Sequence, residues 1–127
     1  MPGTGSKAVM AHALTALLVF IIAVLTLVPQ ASGPMGIPGF DKLAHLVAFA
    51  VVTVPLAWRF PHLWRGVALA ALAYGGIIEI VQPFMGRTTS WGDLLADGAG
   101  AFAGAFIASR IGKQWRGRAD LAQPNNR

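Results

Sequence analysis

From Val9 to Val28 the chain runs for twenty residues with His12, Thr15 and Thr26 as the only polar members. A helix of that length rises about 30 Å, the thickness of a bilayer's hydrocarbon core. Within lipid, every backbone N–H and C=O must find its partner inside the protein, so a lone segment of this kind is held to a helix. Three more apolar stretches follow, divided by short knots of proline, glycine and charge. Pro29 to Gly39, with prolines at 29, 34 and 38, reads as a loop. A second helix is expected from about Phe40 to Trp58, with Pro55 kinking its far end. A third is expected from about Trp64 to Gln82, ended by Pro83, and a fourth from about Asp93 to Ile111. The pattern predicts an all-α integral membrane four-helix bundle with short loops. Residues 1–8 are expected as a cytoplasmic N-terminus, 9–111 as the transmembrane domain and 112–127 as a basic, frayed cytoplasmic tail. Lys7 before the first run and Ala31-Ser32-Gly33 after it imitate a secretory signal. The run is longer than the ~7–15 residues of a signal core, so it is read as a retained span.

Composition narrows the function classes. Only 12% of residues are charged and 55% are hydrophobic, against about 25% charged in soluble domains. No separate soluble catalytic domain is expected beside the helices in these 127 residues. The absence of cysteine excludes disulfides, thiolate metal sites and a cysteine nucleophile. The net charge is +5, but the excess follows the last apolar run, at Arg110, Lys113, Arg116 and Arg118. Beside a span, such a cluster is a topology anchor against anionic lipid, and no nucleic-acid partner is expected.

The same charges orient the chain. Lys7, Arg59, Arg65 and the basic residues from Arg110 to Arg127 place both termini and the second loop in the cytoplasm. Asp41, Lys42, His45, Glu79, Gln82, Arg87, Ser90, Asp93 and Asp97 then share the outer end of the bundle, although they are scattered in sequence. Asp41 and His45 are four apart, as are Asp93 and Asp97, so each pair shares a helix face. Glu79 lies inside an apolar helix, where facing lipid would cost about 2.5–3.5 kcal/mol or more. It is expected to face the bundle within reach of Lys42, Arg87 or His45. Trp58, Trp64, Trp91 and Trp115 fall at span ends as an interfacial belt.

Ala96, Gly100, Gly104 and Ala108 recur every four residues, a small-residue face that lets another backbone approach closely. Ala101, on another face, is expected to tolerate enlargement better than Gly100 or Gly104. Gly98 to Gly104 imitates a dinucleotide fingerprint but lacks the preceding strand. Asp41-Lys42-Leu43-Ala44-His45 and Asp93-Leu94-Leu95-Ala96-Asp97 form a weak repeat that either duplication or the shared preference for an acidic helix start explains.

Asp41-Lys42-x-x-His45, Glu79-x-x-Gln82, Arg87-x-x-Ser90-x-x-Asp93, then Gly98 and Gly100, in this order over about residues 10–110, resembles the VanZ-like membrane protein family. One departure is Asp97, where that family is expected to carry Asn. The resemblance implies a multi-pass protein of the bacterial plasma membrane. The family's namesake is associated with resistance to the glycopeptide teicoplanin, and the resemblance supplies no settled reaction.

Three readings of the outer cluster follow. The first is binding or modification of an anionic cell-envelope lipid or precursor. Lys42 and Arg87 would hold its phosphate or carboxylate, and His45, oriented by Asp41, would act as acid or base. A desolvated Glu79 would take or give a proton, and Ser90 or Thr89 would be the hydroxyl nucleophile. The second is a structural scaffold without catalysis, using the small-residue face of the fourth helix. The third, a transporter or proton relay, is disfavoured by the apolar inner halves of the helices. Whether the protein is an enzyme stays open. No cofactor or resident metal is expected, since Lys42 lies among the carboxylates of Asp41, Asp93 and Asp97 that would join His45 in holding a divalent ion. Membrane lipids are the expected partners, with a homo-oligomer allowed.

Overall fold

A computed structural model describes residues 3–27, 40–86 and 90–123. They form four helices: α1 (Thr4–Leu27), α2 (Phe40–Arg59), α3 (Trp64–Val81) and α4 (Trp91–Ala122). All four are long and apolar enough to cross a membrane. The expected Pro29–Gly39 loop lies outside the described residues. The α2–α3 connection is a 3-10 turn over Pro61–Leu63. A second 3-10 turn, Gln82–Met85, follows α3 and closes at Gly86, whose φ of 74° is the left-handed conformation that glycine adopts without strain. Pro55 lies within α2, which continues past it to Arg59.

The termini of α1 fix the arrangement. Gln82 Nε2 donates to Thr26 O, and an Arg59 guanidinium N–H donates to Thr4 O. The helix α1 therefore runs antiparallel to α2 and parallel to α3. Between α2 and α4 the register rises together: Lys42 meets Asp93, His45 meets Asp97, and Trp58 lies against Gly112. These two helices are parallel, and the two halves of the weak repeat face one another across their seam.

That seam is built from absent side chains. A Cβ added to Gly100 would collide with Leu46 O, one on Gly104 with Ala50 O, and one on Gly112 would lie 2.7 Å from Trp58 O. Only glycine lets these backbones approach so closely. Gly100, Gly104 and Ala108 are buried and Ala96 half-buried, so the expected packing face is used within the chain. The expectation for Ala101 is corrected. Ala101 is 0% exposed and packs with Ile22, Phe49, Val52 and Ile78. Asp97, Ala101, Ala105 and Ser109 form a second buried stripe beside the first, which makes α4 the central helix of the bundle.

The far end of α4 is also corrected. The helix does not stop at Ile111 but runs on to Ala122. Arg116 explains much of this, because its Nη2 donates to the carbonyls of Trp58 and Arg59 and so satisfies the open C-terminal end of α2. The basic segment is thus anchored to the bundle over its first turns. By contrast α1 exposes Val9, Leu17, Phe20 and Leu25 along its flank, a surface suited to lipid chains.

Candidate functional site

At the end of the bundle opposite Arg116, the N-terminal turns of α2 and α4 lie side by side next to the C-terminal turn of α3. The start of α4 is set by Ser90, whose Oγ accepts from Asp93 N at 3.1 Å, an N-cap that fixes where Asp93 and Asp97 project. Asp93 in the first turn is further favoured by the helix dipole. One turn on, Asp97 is wholly buried and its Oδ1 accepts from His45 Nδ1 at 2.7 Å. His45 is 6% exposed. The expectation that Asp41 orients His45 is corrected: Asp41 Oδ1 is 4.0 Å from Nε2, outside hydrogen-bond range, and Asp97 is the orienting carboxylate. Lys42, half-exposed, lies 3.4 Å from Asp93 Oδ1.

Glu79 is brought into the same cluster. It is 9% exposed, its Oε2 accepts from Ser90 N at 3.3 Å, and a carboxylate oxygen lies within 4.8 Å of donor atoms of His45 and Asp97. The expected proximity of Glu79 to His45 is therefore met. Ser90 acts through its backbone N–H, donated to Glu79, and through its hydroxyl as the cap of α4. Gln82, 1% exposed, turns its amide nitrogen away from the cluster to Thr26 O and ties α1 to α3. Arg87 and Thr89 lie outside the described residues.

Several residues that shape the site carried no obvious signal. Gly75 makes room for Asp97, since a Cβ there would stand 2.8 Å from Asp97 Oδ2 and 3.2 Å from Phe49. Gly92 lies under the stem of Lys42. A groove of about 380 Å³ opens between α3 and α4, lined by Gly76, Glu79, Ile80, Ser90, Trp91 and Leu94. Its walls are mainly apolar, Ile80 and Trp91 are largely exposed beside it, and its polar wall is the Glu79–Ser90 contact. The Gly75-Gly76 pair inside an apolar helix was the one available hint of close approach.

Chemically, the arrangement holds an imidazole in one orientation by a buried carboxylate, with a half-exposed ammonium on Asp93 one turn away, and Glu79 stands between this pair and the apolar groove. A carboxylate that accepts from Nδ1–H leaves Nε2 as the basic nitrogen. No curated protein and no solved structure matches the chain. The VanZ/LLP1 family model matches residues 5–112, from the first turn of α1 to the glycine of α4 that packs against Trp58, and the chain belongs to the VanZ/LLP1 family.

Proposed function

We propose that this is a bacterial plasma-membrane protein with both termini in the cytoplasm, whose cluster faces outward and engages an anionic cell-envelope lipid or precursor. The observation that carries this reading is the groove between α3 and α4, which joins an apolar channel at the helix flank to the polar Glu79–Ser90 contact. A lipid is the ligand whose chemistry changes over that distance. Its tail would lie along Gly76, Ile80 and Leu94, and its headgroup would reach the cluster. Lys42 and Arg87 would hold negative charge, and His45, fixed by Asp97, is the group suited to proton exchange with the headgroup.

The scaffold reading loses its strongest support, because the small-residue face of α4 is already covered by α2. Transport is disfavoured by the middle of the bundle. Buried Thr53 and Ser109 bond carbonyls of their own helices, at Ala50 and Phe106, rather than extending a relay from the cluster.

Mass spectrometry of lipids that co-purify with the protein tests the proposal. The wild type should retain an enriched anionic species that Arg87→Ala and Gly76→Leu both lose. Gly76 has nothing within 4 Å of an added Cβ, so leucine fills the groove without disturbing the packing. A lipid profile indifferent to both substitutions would remove the reading.

A further inference from the structure

We propose that Asp41, His45 and Asp93 form a binding site for one divalent transition-metal ion, zinc or manganese, with Asp97 as the outer carboxylate that orients His45. One donor atom from each of the three lies within 4.8 Å of the others. They come from the first turns of two helices whose register is locked by the glycine seam. His45 is the informative member. In the neutral ring, an Nδ1–H donated to buried Asp97 leaves Nε2 with a lone pair. The side chain is 5% exposed, and Nε2 makes no hydrogen bond among the described residues; it faces Asp41 Oδ1 at 4.0 Å. An acceptor nitrogen aimed at carboxylates is repulsive. A cation makes the same geometry favourable.

The donor set selects the cation. One imidazole and two carboxylates suit zinc or manganese, whereas calcium and magnesium favour oxygen-only shells and soft ions need thiolates. A metal-bound histidine commonly gives its other N–H to a carboxylate, which is the role Asp97 already plays. The second set of donors, His45, Glu79 and Asp97, is less suited. There the bond from Nδ1 to Asp97 Oδ1 already takes up the ring nitrogen on that side, although Asp97 Oδ2 lies buried without a hydrogen bond among the described residues. Lys42, whose presence disfavours a metal on sequence grounds, reaches one oxygen of Asp93 at 3.4 Å and is half-exposed, so it is free to swing outward. The ion site is independent of the lipid reading, because its test uses the metal alone.

The test is titration of the chelator-stripped full chain, in detergent micelles, with Zn²⁺ and separately Mn²⁺, followed by calorimetry and by elemental analysis after dialysis. One ion per chain is expected. Asp41→Asn alters an exposed side chain outside the packed seam, so it leaves the fold intact; it should weaken binding at least 10-fold. Asp97→Asn should weaken it by about 10- to 100-fold through the orientation of His45. Failure of the wild type to bind either ion would overturn the proposal, and a second proton on His45 would then satisfy the carboxylates. Binding unchanged by Asp41→Asn but lost with Glu79→Gln would also overturn it, by putting the ion on the other side of the imidazole.

Discussion

The two ends of the bundle treat charge in opposite ways. At the Arg116 end, arginines reach outward over aromatic rings and bond backbone carbonyls. Arg116 caps α2, Arg59 bonds Thr4 O, and the guanidinium groups of Arg65 and Arg110 lie 5.4 and 5.2 Å from the rings of Trp64 and Phe106. Such side chains bury their stems, keep their charge near water and complement helix C-termini. At the His45 end, four of the chain's five acidic residues gather, and three of them are buried. Their contacts join side chain to side chain across helices, at His45–Asp97 and Lys42–Asp93. Surface cations are cheap to keep, whereas buried ion pairs often add little net stability against apolar replacements. One end therefore reads as architecture and the other as chemistry.

The contrast is open to experiment, and orientation gives the largest effect because its result is all-or-none. Reporters fused after Arg59 and after Arg118 should read as cytoplasmic and one near Gly36 as external. An internal reading at Gly36 would reverse the two ends and remove the outward-facing site. The seam that joins the ends comes next. Gly100→Leu and Gly104→Leu should nearly abolish recovery of folded protein, because backbone cannot retreat as a side chain can. Ala101→Leu should be similarly damaging, since Ala101 is fully buried.

Smaller effects separate the ends themselves. His45→Leu or Asp97→Leu alone leaves a buried partner unpaired and should cost about 3–5 kcal/mol in an unfolding titration. Arg116→Ala removes hydrogen bonds at a half-exposed helix end and should cost on the order of 1–3 kcal/mol. Equal losses at both ends would erase the distinction drawn between them. Lys42→Ala should be the mildest, under about 1 kcal/mol, because its pair with Asp93 is half-exposed. Its consequence should appear in retained lipid and not in stability.

The sequence made much of this legible, for identifiable reasons. Apolar runs set the four spans, and the spacing of Gly100 and Gly104 marked a close-packed face, because both follow from bilayer thickness and helix period. Glu79 was legible because a carboxylate at that depth must turn inward. Three features were not. Ala101 and Ala105 look like neutral lipid-facing residues, and only the central position of α4 buries them. The extension of α4 to Ala122 depends on Arg116 meeting the end of α2, a contact between residues 57 and 58 positions apart in the chain. Helix spacing pairs His45 with Asp41, while a parallel neighbour supplies Asp97 at shorter range. Interhelical register decided each case, and hydropathy carries no information about register.

The most direct test of the contrast between the ends is the double variant His45→Leu/Asp97→Leu, compared with the wild type for unfolding and for bound lipid in the same preparation. If the pair is kept for chemistry, the double variant should recover all the stability lost by each single change and equal or exceed the wild type, because both buried charges leave together. It should also lose the enriched lipid. A double variant that unfolds as readily as the single ones while keeping its lipid would make the His45–Asp97 pair architecture and contradict the division between the two ends.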